Sequence, residues 1–165
     1  MSERWHTLVD ALQAFDKKIK NDRLIVGEIA AHIQHRFAAY IKAPDNRRVR
    51  VYKLTGEPTD LRSYIEELYP ANAVEQSPTN QWQFGLGILV GHDQMPEFLL
   101  RWPLFITVSK DRILVEFLDK RTELARGPKE HDYEPLCSLM YDALLEYCLV
   151  SAGSIPGVKI GFMAS

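Results

Sequence analysis

The 165-residue sequence predicts an α+β fold: a long N-terminal helical segment, a mostly antiparallel sheet of about four to five strands, and an amphipathic C-terminal helix packed on it. Three observations carry this expectation. Apolar residues recur at three- and four-residue spacings through residues 3–41 and again through 133–152, as one face of a helix requires. Between these segments the period falls to two, in RRVRVYKL, QWQFGLGILV and RILVEF. The last strands follow one another through short polar turns, which join antiparallel neighbours. The length suits a single domain, 1–165, with the sheet region over 48–120.

In the N-terminal segment, Trp5, Leu8, Leu12, Phe15 and Ile19 are spaced 3, 4, 3, 4, and Val26, Ile29, Ile33 and Tyr40 continue the frame. Asp22 and Arg36 interrupt it. This is a heptad stripe, the pattern of a seam against another helix. Ser2 is placed to cap its start and Pro44 to stop it. Unbroken, the segment would span about 58 Å, against a diameter of about 40 Å for a domain of this size. The helix therefore breaks near Asn21-Asp22 or Gly27, or it overhangs the domain and meets another chain. Either way Trp5, Leu8, Leu12, Phe15 and Ile19 form the expected self-association surface, the alternative being an internal helix hairpin.

Turn residues at Asp45-Asn46 and at Gly56-Glu57-Pro58 bracket a strand over 48–54. Thr59 or Asp60 caps a short helix over 60–69, stopped by Pro70, and 71–80 form a polar loop. In QWQFGLGILVG, Trp82, Phe84, Leu86, Ile88 and Val90 share one face. Gln81, Gln83, Gly85, Gly87 and Leu89 share the other, where the glycines predict the close approach of a helix, a backbone or a ligand. No helix follows GLG, so it is not a dinucleotide fingerprint. A hairpin follows, with strands at 104–108 and 113–118, both apolar on nearly both sides, as strands covered by helices are. Residues 121–132 read as a polar connection. Asp132 then caps a helix over 133–152, whose stripe is Leu136, Leu139, Met140, Ala143, Leu144 and Tyr147. Gly153 stops it, and 157–164 form a possible final strand.

A net charge of −2 provides no global field for nucleic acid or an anionic membrane, so nucleic acid is disfavoured as a partner. No apolar run is long enough to span a bilayer, and the N-terminus lacks a secretory pattern. Cys137 and Cys148 lie eleven residues apart on one helix, about 16 Å by its rise, too far to bridge. They read as buried thiols of a reducing compartment, so a cytoplasmic location is expected.

Four groups of residues could carry chemistry. Glu28, His32 and His35 share a helix face, and carboxylate plus imidazole suits zinc, iron or manganese. The second E-x-x-H element of a carboxylate-bridged bundle is missing, and these residues flank Ile29, Ile33 and Phe37 as boundary residues do. Asp111, Glu116, Asp119 and Lys120 suggest a nuclease centre, but Glu116 and Lys120 are spaced wrongly for one. His92-Asp93 with Glu97 is a usable acid–base pair without a recognisable nucleophile. Arg47, Arg48, Arg50 and Lys53 accompany Tyr52, and Arg48, Arg50 and Tyr52 fall on one strand face that could hold an anion or nucleic acid. Trp5, Trp82 and Trp102 belong to the core or a subunit interface.

The reading is a non-enzymatic cytoplasmic protein that works through protein–protein contacts, as an adaptor, small chaperone or accessory subunit. It self-associates through its N-terminal helix and needs no cofactor. A metal-dependent hydrolase or nuclease is the alternative, and a nucleic-acid-binding module the second.

Overall fold

The computed structural model describes residues 2–45, 47–55, 70–79, 81–91, 98–150 and 159–162. The N-terminal periodicity forms one helix, α1 (Glu3–Tyr40), of 38 residues, about 57 Å long at 1.5 Å per residue. Ser2 caps it, its hydroxyl accepting from the Trp5 N–H at 3.3 Å. Neither suggested break occurs. Lys18 Nζ, one turn upstream, holds the Asp22 carboxylate at 2.7 Å, so Asp22 continues the helix instead of capping a second one. At the far end the Ala43 N–H donates to the Ala38 carbonyl at 3.0 Å and Lys42 N–H to that of Ala39 at 3.2 Å. This is a Schellman stop with Lys42, φ +53°, where glycine is usual.

The remaining elements are β1 (Val49–Tyr52), α2 (Pro70–Ala73), β2 (Glu75–Gln76), β3 (Trp82–Val90), β4 (Phe98–Val108), β5 (Arg112–Phe117), β6 (Lys120–Ala125), a 3₁₀ turn (Glu130–Tyr133), α3 (Glu134–Val150) and β7 (Lys159–Phe162). The described strands form one antiparallel sheet of order β1-β3-β4-β5-β6. β2 follows β1 along the outer edge of β3, and β7 lies beside β5 along β4. The expected helix over 60–69 lies outside the described residues.

Three strands depart from expectation. β2, preceded by α2, lies within 71–80, read as a polar loop, and Pro70, expected to stop a helix, instead stands at the first position of one, where its missing N–H is not needed. β4 starts at Phe98, not at 104, and runs through Pro103. Proline cannot complete a ladder on both sides of a strand. Here β7 pairs only with Phe98–Arg101 and β5 only with Phe105–Val108, so Pro103 sits where β4 has a partner on one side. β6 emerges from the stretch read as a polar connection. Leu124 is its one fully buried side chain, which is why the residues lack an apolar alternation; a charged edge strand looks like a loop. The loop joining β5 to β6 is Leu118-Asp119, both at positive φ (47° and 62°), the geometry of a two-residue type I′ turn. Leu118 is 7% exposed, so core burial offsets the cost of about 1–2 kcal/mol for a left-handed non-glycine residue. The α3 start also differs: Asp132 lies inside the 3₁₀ turn, its carboxylate accepting from the Lys129 N–H at 2.7 Å.

The core lies on one face of the sheet. Val49, Val51, Phe84, Leu86, Trp102, Leu104, Ile106, Ile113 and Val115 meet Val26, Ile29, Ile33 and Phe37 of α1 and Leu136, Met140, Leu144 and Tyr147 of α3. Trp102 is fully buried, with Phe37 edge-on at 6.1 Å.

Candidate functional site

Burial along α1 begins at Asp22. Of residues 3–18, all but Val9 are exposed. Trp5, Leu8, Leu12 and Phe15 are 54%, 52%, 58% and 61% exposed, and Ile19 is the first of the stripe to touch the core. One apolar stripe thus leaves the domain and continues over about five turns of bare helix. Glu3, Arg4, Asp10 and Asp16 lie along it, followed by Lys17, Lys18 and Lys20, and Asp16 pairs with Lys20 at 2.8 Å.

Glu28, His32 and His35 lie on the exposed flank of the packed half of α1. The His32 ring stacks on Tyr133 at 5.5 Å. Burial pushes the Tyr133 phenol up to about 12, with the Glu28 and Asp132 charges adding to it. Among the described residues, no three His, Cys, Asp or Glu side chains are grouped to hold a metal ion. Beside them Arg36 pairs with Glu130 across a polar cleft of about 400 Å³ that reaches Cys137. Burial raises the Cys137 thiol to about 11, opposed in part by Arg36. Cys148, expected to be buried, is exposed, because its position on α3 falls outside the stripe that meets the sheet. Its thiol is also raised by partial desolvation.

The nuclease residues are dispersed. Glu116 pairs across the sheet with Phe105 and Lys120 with Phe117, so the two stand on opposite faces. Glu116 is engaged by Arg121 at 3.6 Å and Gln81 at 3.2 Å, and Lys120 reaches Glu146 at 3.9 Å. Asp119 serves the hairpin turn. His92, Asp93 and Glu97 lie outside the described residues.

Arg50 and Tyr52 share the sheet face opposite the helices, whereas Arg48 precedes β1 and lines a groove beside Phe37 and Tyr141. Arg48 is paired with Asp45 at 3.7 Å. At Gly85 the close approach is made not by a helix, backbone or ligand but by the side chain of Tyr52, which pairs with Gly85 and lays its ring where a Cβ would be. The Arg101 guanidinium stands 5.8 Å from the centre of that ring. Sequence reasoning missed Arg101, because it began this strand only at 104. The alternation of Leu99, Arg101 and Pro103 against Leu100, Trp102 and Leu104 was the available signal.

An apolar groove of about 380 Å³ opens where the C-terminal end of α1 meets α3, floored by Ile88 and Leu100 and edged by Tyr141 and Leu145. Among the described residues no helix is long and apolar enough to cross a membrane. The chain matches no protein-family model, no curated protein and no solved structure.

Proposed function

We propose that the chain acts through protein–protein contact, as an adaptor, small chaperone or accessory subunit, and that its first partner is a second copy of itself. The observation that carries this reading is the stripe of Trp5, Leu8, Leu12 and Phe15, each more than half exposed on a helix that has left its own core. Three physical points support it. A contiguous apolar surface of a few hundred Å² marks an interaction site on a soluble domain. A helical stretch with no tertiary contact is marginal in water, and Trp5, His6, Thr7, Val9 and Phe15 are not strong helix formers, so packing must supply what propensity does not. A heptad seam is self-complementary, and the mixed charges beside this one set no single sign against itself when two copies meet.

The test is the double substitution Leu12→Glu, Phe15→Glu, read by sedimentation. The parent is expected to sediment as a dimer and the variant at the 19.0 kDa chain mass, with the near-ultraviolet circular dichroism of Trp102 and the buried core retained. A folded variant with the parent's mass contradicts the reading.

A further inference from the structure

We propose that the sheet face opposite the helices holds a phosphate group between Arg50 of β1 and Arg101 of β4, above Gly87 of β3. Gly87 pairs with Arg50 on one side and with Arg101 on the other, so the three form a single row across three strands. Residues directly paired across antiparallel strands project to the same face. The two arginine Cα atoms are therefore about 10 Å apart, two strand spacings, and the position between them has no side chain.

The charge here is unbalanced. Both arginines are half-buried. Four of the described arginines have carboxylate partners: Arg36 with Glu130, Arg48 with Asp45, Arg112 with Glu123 and Arg121 with Glu116. Among the described residues, neither Arg50 nor Arg101 has an ion-pair partner. Arg50 Nε is buried and donates to nothing. Arg101 has only the Tyr52 ring, which the bare Gly85 allows to lie flat beside it. Among the described residues, Glu75 and Glu116 on this face are already engaged, Glu75 by Lys53 and Thr55 and Glu116 by Arg121 and Gln81.

Two half-buried like charges in one row of the sheet are stabilised by an anion that reaches both. A single guanidinium fork satisfies both oxygens of a carboxylate. Two forks approaching from opposite sides instead suit a tetrahedral group with oxygens left for each, and phosphate, with a charge of about −1.5 to −2 at pH 7, balances the pair. The site is independent of the projecting helix.

The experiment is thermal melting of the full chain at low ionic strength, titrated with inorganic phosphate against chloride of matched ionic strength. The parent is expected to show a saturable rise in Tm. Arg50→Gln and Arg101→Gln each weaken the response tenfold or more, whereas Arg112→Gln, the same charge change at the far edge, leaves it intact. Without phosphate, Arg50→Gln is expected to melt about 2 °C or more above the parent, because it removes an uncompensated guanidinium. That gain separates a lost site from a lost fold. Tighter binding of glycerol phosphate than of inorganic phosphate would make the ligand an organic phosphomonoester, and equal binding would make it the free ion. No saturable response up to about 10 mM phosphate, an affinity weaker than about −2.7 kcal/mol, overturns the proposal, as do glutamine variants that respond like the parent.

Discussion

Gly85 and Tyr52 show how one residue's absence of a side chain is used by its neighbour. A Cβ at Gly85 would run into the Tyr52 ring, which is buried and backed by Arg101. Gly85→Ala is therefore expected to destabilise the protein by about 1–3 kcal/mol in urea unfolding, the cost of overpacking. The loss should shrink when Tyr52→Ala is added, because the two residues occupy one space; equal losses in both backgrounds would place the effect elsewhere. Two buried titrating groups set a second expectation. The Cys137 thiol rises from 9.0 to about 11 and the Tyr133 phenol from 10.0 to about 12, both chiefly through burial. Each folded value lies above the unfolded one, so the stability they contribute is complete below pH 9 and is lost as pH climbs from 9 towards 12. Tm is expected to be level from pH 7 to 9 and to fall above it. In Cys137→Ala the onset should move up towards pH 10, where the unfolded tyrosine begins to ionise. A melting profile identical to the parent's would refute the assignment to Cys137.

At the scale of elements, apolar period was legible wherever a segment buries a whole face. The packed half of α1, β3, β5 and α3 all show it, with Val26, Ile29, Ile33 and Phe37, or Trp82, Phe84, Leu86 and Ile88, reading directly as core. Edges and exceptions were not legible. β6 buries only Leu124 fully, and its turn is Leu118-Asp119 where asparagine-glycine would have announced a hairpin. The first half of β4 was not read as strand, and the one-sided pairing that accommodates Pro103 cannot be read from the chain. Arg101, and with it half of the arginine pair, was lost with that half. The turn itself is testable. Asp119 sits at φ 62°, where glycine carries no steric penalty. Asp119→Gly is expected to stabilise the protein by about 0.5–1 kcal/mol, seen as a higher urea midpoint at unchanged slope; a lower midpoint would mean that the aspartate side chain supports the turn.

The whole molecule divides along α1. From Asp22 onward the helix is a core element, fully committed to the sheet and to α3. Before it, the same heptad stripe continues into solvent over a length that the domain cannot cover. The frame was readable in the sequence from Trp5 to Tyr40, but whether Asn21-Asp22 would break it was not. That depends on a local detail, the Lys18–Asp22 pair, which lets a capping residue stay within a helix. Continuity is what keeps the projecting half exposed, since a break would have allowed it to fold back on the domain. The measurement that bears most directly on this account is the mass of the unmodified protein in solution, by sedimentation equilibrium or native mass spectrometry at micromolar concentration. The account predicts a species of twice the 19.0 kDa chain mass, dissociating on dilution. A single species at the chain mass across the whole concentration range would contradict it.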